Sequence, residues 1–594
     1  MFFTEYHPMT AEEVGEKLEA AGRAAGKSCT CLAGKSFRAV LSGEFAPAQL
    51  DYRFLSETTL EFTENGVTAT ADYTAVSLGK IVLFTHLVPG TDRGWHVVLD
   101  TATKALTAFE TWFGTTVPVG IDLFGQTPPT GWRDIPREVQ REFYFGWADF
   151  GDGAKPEKLH TPTNRLEGRG LHWTLSDGHE FLTFFPGIFS STVVELGREM
   201  GGITMTNGSD FLRIDDEFYI YTRWETEFGG GMWIEVLNFY DNRAVGLRFG
   251  FDGNDELTYA AHSAALEITG DAAHLEGIFD LGDKVRPKYN PEKKGTRYAY
   301  RPMDIDPPMP HDEALRHAAE AQRIFDTDNR NIMASRNNLP FSDFLAGKQF
   351  KVVLDGEKYA AAPWTGDRKT VYEYDVLSGS RLRWRRAGGT WQEEKYVCYE
   401  PARDIYFFSH MMTGEPDYAN LTLAIDFSTG LATTVRAQIG SWHSEWETGS
   451  EVKFGVLEYG DIVPPFTRRH HFTTDLVGKC YSWTYSDKMS SIHVYSSPES
   501  YSWTIVNGDN SGGATWSSPC YYIKLRDDAY MLQWVEENCN GRQGLVVINP
   551  RLLHDSGFFF GVDRRGLSLN PTGAFGRQLG SYDLMRYFDP KGSF

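Results

Sequence analysis

Cysteine is scarce in this chain. Six in 594 residues (Cys29, Cys31, Cys398, Cys480, Cys520 and Cys539) are too few for a disulfide-stapled fold. None stand as Cys-x-x-Cys, and no Cys/His set has zinc-finger spacing, so no metal site is expected. Long apolar runs are missing too. No stretch approaches 18 apolar residues, and Met-Phe-Phe-Thr-Glu-Tyr-His at the start has neither a basic nor an apolar leader region. A soluble, cytoplasmic protein that avoids the membrane is therefore expected. Positive charge is short: 58 Lys+Arg against 80 Asp+Glu leave −22, which argues against nucleic acid as a partner. Ser-His-Asp and Cys-His nucleophile signatures are absent. Gly229-Gly230-Gly231 lacks the following Lys-Ser/Thr of a phosphate cradle, so it reads as a turn, and no cofactor is expected. Helical periodicity is confined to residues 9–26, with Thr10 as N-cap, and to residues 311–328.

What the chain has in quantity is aromatic residues, 14% of the total, and alternating apolar–polar runs of four to eight residues broken by Gly, Asn and Asp. Ser36–Leu41, Thr59–Thr63, Ile81–Leu87 and Trp95–Leu99 are examples. Strands at such spacing without intervening helices predict an all-β fold of sandwiches or closed barrels.

The runs also repeat. Trp173-Thr174-Leu175-Ser176-Asp177 returns 310 residues later as Trp483-Thr484-Tyr485-Ser486-Asp487. Glu225 has its counterpart in Glu536 and Asn238 in Asn549, both at 311. Leu32-Ala33-Gly34-Lys35 returns as Leu345-Ala346-Gly347-Lys348, and Phe84-Thr85-His86 as Phe408-Ser409-His410. Chance does not hold so many landmarks in register, so the chain is a tandem duplication of a two-module unit. The modules are expected at 1–135 and 136–290, then 340–450 and 451–594, joined by a Pro-rich linker at 291–339 that carries the 311–328 helix.

The second and fourth modules carry a resemblance. Gly478–Tyr485, Ile492–Tyr495, Tyr501–Ile505, Gly512–Trp516, Tyr522–Leu525 and Tyr530–Glu536 follow an order similar to the phenolic acid decarboxylases and the MoaF family, both lipocalin-like (calycin) barrels. The LAGK…FTH modules look like the N-terminal MoaF domain. The resemblance implies tandem lipocalin-like barrels in the order N-like, C-like, N-like, C-like. It places the decarboxylases' interior acid at Glu536, in Trp534-Val535-Glu536, and at Glu225, in Arg223-Trp224-Glu225. Trp483 and Tyr485 fall on the family's early tyrosine pair, as do Trp173 and Leu175. The family's Gly-Arg-Trp stands here as Ala514-Thr515-Trp516, without the arginine.

Read without the family, a carboxylate inside an aromatic barrel is desolvated and suited to general acid chemistry. Arg223 lies two residues before Glu225, on the same strand face, where it could hold a substrate oxygen. The candidate catalytic residues are thus Glu225, Glu536 and Arg223. Trp173, Trp483, Tyr485, Trp503, His86 and His410 are candidate substrate-binding residues. A lone histidine in an apolar strand is as readily a hydrogen-bonded core residue. His470 and His471 read as part of a basic loop. The expected function is a cofactor-independent lyase, isomerase or cyclase acting on a hydrophobic aromatic or polyketide-like small molecule. A non-catalytic lipocalin-like carrier is the alternative, and a scaffold of filled barrels a third. The expected partner is that small molecule, with a homodimer as the one protein assembly considered.

Overall fold

The computed structural model describes residues 29–43, 45–114, 138–187, 190–197, 202, 204–224, 231–251, 257–273, 336–355, 370–415, 419–440, 448–508, 515–536, 542–563 and 566–588. The expected helices at 9–26 and 311–328 and residues 291–335 of the expected linker lie outside these, as does Glu225. Among the described residues the chain is all-β apart from one 3-10 turn, Thr30–Leu32. No described helix is long and apolar enough to cross a membrane. Two compact units divide the chain, one within residues 2–303 and one within 304–594.

Each unit contains two eight-stranded antiparallel barrels. In the first barrel, Ser36–Ser42 closes the sheet by pairing with Glu138–Asp149, Ala39 standing opposite Ala148. In the second, Arg169–Leu175 pairs with Glu180–Phe184 on one side and Leu257–Ala272 on the other. The third closes through Gln349–Leu354 and Thr448–Glu458. The fourth closes through Lys479–Ser486 and Gly566–Tyr582, with Trp483 opposite Gly576. Period-two sequence becomes barrel geometry directly: alternate residues face the interior, the rest face outward.

The outward faces are apolar where barrels meet within a unit. Leu83, Val98 and Phe109 of the first barrel share one cluster with Ile220, Ile234 and Leu247 of the second. Tyr399, Phe407 and Val435 of the third share another with Met531, Val547 and Phe558 of the fourth. Both faces of these strands are therefore buried, which is why their sequences read as near-continuous apolar runs.

One expectation changes. The boundaries at 135/136 and 450/451 fall too early: strands Glu138–Asp149 and Thr448–Glu458 are the eighth staves of the first and third barrels. In the first barrel 23 residues separate that strand from the one before it, so in sequence it looks like the start of the next module, and in both barrels only the pairing with the first strand assigns it. His470 lies in the expected loop, just before the short strand His471–Phe472, and is buried there with Nδ1 2.8 Å from Thr433 Oγ1. Its counterpart His160, 310 residues earlier, holds Thr107 Oγ1 at 2.9 Å in the same way.

Candidate active site

The interior of the fourth barrel gathers the most chemistry. Glu536 ends strand Ala529–Glu536, and alternation places it inside with Trp534 and Leu532. Trp534 Nε1 donates to Glu536 Oε1 at 2.7 Å, and Trp503 Nε1 donates to Oε2 at 3.1 Å. Arg542 stands directly opposite Glu536 on the next strand. Burial pushes the Glu536 carboxyl up to about 7, and the two indole N–H groups and Arg542 pull against that rise. Room for the Trp534 indole comes from its cross-strand partner Gly544: a Cβ there would sit 2.1 Å from the ring.

Buried phenols line the same interior, and Tyr485 and Tyr501 are near enough to sense the Glu536 charge. Tyr485, Tyr495, Tyr501 and Tyr522 all have hydroxyls raised well above the ordinary value by burial, so each keeps its proton and can donate. Tyr485 senses both Glu536 and a second carboxyl, Asp555, which burial pushes up to about 8 against a backbone N–H from Ala574. His493 is held neutral, burial lowering it to about 3, with Nε2 3.0 Å from Ser491 Oγ. Its ring meets Tyr501 at 5.2 Å, and Tyr501 meets Trp534 at 5.6 Å. Buried polar groups in folded proteins are nearly always paired. Here His493 Nδ1, Ser518 Oγ, Asp555 Oδ1, Asn570 Nδ2 and Thr572 Oγ1 are buried without a partner. Strand register puts these five side chains on the inner face.

The remaining sequence candidates are distributed over three other interiors. Trp483 and Tyr485 do join Glu536 and Trp503 in the fourth barrel, Trp483 stacking on Tyr481 at 5.5 Å. Trp173 lies inside the second barrel, stacked on Phe181 at 5.3 Å. Arg223 also faces that interior, its guanidinium 4.8 Å from the Phe181 ring and 4.3 Å from that of Trp233. His86 fills the first barrel among aromatic rings, with Nδ1 3.1 Å from Leu87 O and Nε2 3.3 Å from the Tyr52 hydroxyl. His410 does the same in the third, 2.6 Å from Met411 O and 3.1 Å from Tyr374 OH. Burial lowers both histidines to about 4, so both are neutral core residues at physiological pH. Sequence reasoning missed Asp555, His493 and Tyr495. Inner-face alternation could have found His493 and Tyr495, which share a strand, but Asp555 stands at a strand start where an acid reads as a turn residue.

Comparison with known proteins adds one family. Residues 332–441 match the MoaF N-terminal domain, and residues 470–581 match the MoaF C-terminal domain. No curated protein matches. A solved structure described as "Bifunctional GH43-CE Bacteroides eggerthii" aligns at 10% identity with a TM-score of 0.09, covering 73% of this chain and 64% of that one. A score so low carries no argument, and the chain spans less than two thirds of that structure.

Proposed function

From a chain whose C-terminal half is a tandem of the MoaF N-terminal and C-terminal domains, we infer a cofactor-independent acid–base enzyme working inside the fourth barrel. It takes a hydrophobic, aromatic or polyketide-like small molecule and carries out lyase, isomerase or cyclase chemistry on it. The observation that carries this reading is Glu536: fully buried, oriented by two indole N–H donors, and raised to about 7. A carboxyl near neutrality can give and retake a proton at working pH, the condition for efficient general acid–base catalysis. The protonated Tyr485, Tyr495 and Tyr501 supply donors for an oxygen that gains negative charge as the proton moves. The Trp and Tyr walls restrict a flat or polyene substrate to a reactive shape, lowering the entropic part of the barrier. The decarboxylase reaction itself lacks support, because the Gly-Arg-Trp arginine is replaced by Thr515.

The test is turnover of a panel of phenolic and polyene compounds by the wild-type chain, Glu536→Gln and Gly544→Ala. Glu536→Gln is expected to lose at least about 100-fold in kcat, the usual share of a general acid or base. Gly544→Ala should lose activity by displacing Trp534 from the carboxyl. Full turnover in Glu536→Gln would remove the proposal. Binding without turnover in the wild type would favour the carrier.

A further inference from the structure

The second barrel, which the proposed activity does not use, holds charged chemistry at positions where the fourth barrel is apolar. Arg223, Trp233, Glu235 and Arg248 face its interior. The residues 311 positions later are Trp534, Gly544, Val546 and Phe559. The two copies thus share a frame and differ in what lines it.

The lining is ordered around one indole. Arg223 lies 4.3 Å from the Trp233 ring, Arg248 lies 5.3 Å from it, and the His262 ring meets it edge-on at 5.3 Å. The negative face of an aromatic ring attracts a guanidinium group, so this indole orders both arginines along the inner wall. Glu235 reaches across the sheet to His262, Oε1 to Nε2 at 2.8 Å. It can do so because the residue between them in register is Gly246, where a Cβ would lie 2.1 Å from Glu235 Oε2. That second carboxylate oxygen has no hydrogen-bond partner, although Glu235 is only 2% exposed. Neither the nitrogen nor the oxygen of the Asn207 amide, 1% exposed, has one either. Asn207 lies opposite Ser191, which accepts the Tyr221 hydroxyl at 2.6 Å, so it faces the same interior. Leaving a carboxylate oxygen and a whole amide buried and unpaired is costly in general. A fold keeps such groups when something else pairs with them.

We propose that the second barrel is a separate ligand site for a small organic molecule bearing an oxyanion and a hydrogen-bond donor, the oxyanion facing Arg223 and Arg248 and the donor pairing with Glu235 Oε2. An α-hydroxy acid and an α-amino acid share this chemistry, the donor being a hydroxyl in one and an ammonium in the other. Asn207, which can both donate and accept, serves the remaining polar edge. The Glu235–His262 pair fixes the carboxylate so that only one oxygen is offered.

Four three-carbon probes separate the two requirements: lactate and alanine carry both groups, propionate only the anion, and 2-propanol only the donor. Calorimetric titration of the full chain is expected to show lactate or alanine binding at least tenfold tighter than propionate and 2-propanol. Arg248→Met should weaken that binding at least tenfold, and Arg248→Lys should restore part of it. Glu235→Gln, which keeps the shape of the side chain, should shrink the advantage of lactate over propionate to less than threefold. Glu536→Gln should bind as the wild type does, which keeps this test independent of the fourth barrel. Equal affinity for the four probes, no binding of any of them, or unchanged selectivity in Glu235→Gln would overturn the proposal. Should Arg248→Met melt early, the probe series on the wild type and Glu235→Gln decide it.

Discussion

At the scale of the residue, burial sets the chemistry, and its effect on stability has a definite sign. Glu536 goes from an ordinary 4.5 to about 7 on folding, and Asp555 from 3.8 to about 8. A carboxyl raised in the folded state adds stability that is complete below its unfolded value and disappears as pH rises through the folded one. For Glu536 that window is pH 4.5 to 7. The buried histidines act in the opposite direction: His86, His410 and His493 are lowered from 6.5, so their contribution is lost as pH falls below it. The difference between wild type and Glu536→Gln isolates the carboxyl. Denaturant unfolding should show the variant gaining on the wild type by roughly 1.4 kcal/mol per pH unit across that window. A flat difference between pH 5 and 7 would mean that Glu536 is ionised throughout.

At the scale of the element, the strands that carry the site also dock the barrels. Strand Ala529–Glu536 turns Trp534 and Glu536 inward, while Met531 faces the third barrel. Strand His554–Asp563 likewise presents Asp555 to the interior and Phe558 to the docking cluster. Phe558 packs its ring 5.5 Å from Tyr399 and 5.3 Å from Phe407. Removing a buried phenylalanine ring costs about 3–5 kcal/mol, transfer and cavity together. Phe558→Ala is therefore expected to lower the melting temperature of this unit by several degrees, read by circular dichroism. Because His554–Asp563 is shared, the same variant should weaken turnover through Asp555. An unchanged melting profile would show that the docking face contributes little.

At the scale of the whole chain, duplication is the governing fact. Each unit has its own two barrels and its own docking cluster, which is what a domain needs to fold alone. A fragment of residues 330–594 is expected to fold cooperatively, with a strand-rich circular dichroism spectrum and one sharp denaturation. It should retain any activity that Glu536→Gln abolishes. A fragment that aggregates or loses that activity would show that the first unit completes the second. The halves need not do the same work: Val546 and Phe559 in one copy, where the other has Glu235 and Arg248, give equivalent barrels different interiors.

The sequence by itself determined the strand content, the tandem repeat and the all-β class, because period-two alternation and turn residues are local, and a duplication is visible wherever landmarks recur in register. It also carried Glu536 to the right face, since Trp534 two residues earlier shares its side of the strand. Tertiary structure decided the rest. Strands Glu138–Asp149 and Thr448–Glu458 belong to the barrels before them because closure is a pairing between the first strand and the last, more than 100 residues apart in the first and third barrels. His86 and His410 became core residues through Tyr52 and Tyr374, partners that a strand pattern does not name. Asp555 and the Glu235–His262 pair stayed hidden for the same reason. An ionisation near neutrality, or a carboxylate reaching over Gly246, depends on which distant side chains surround a group and exclude water from it, and that is set only when the sheet closes.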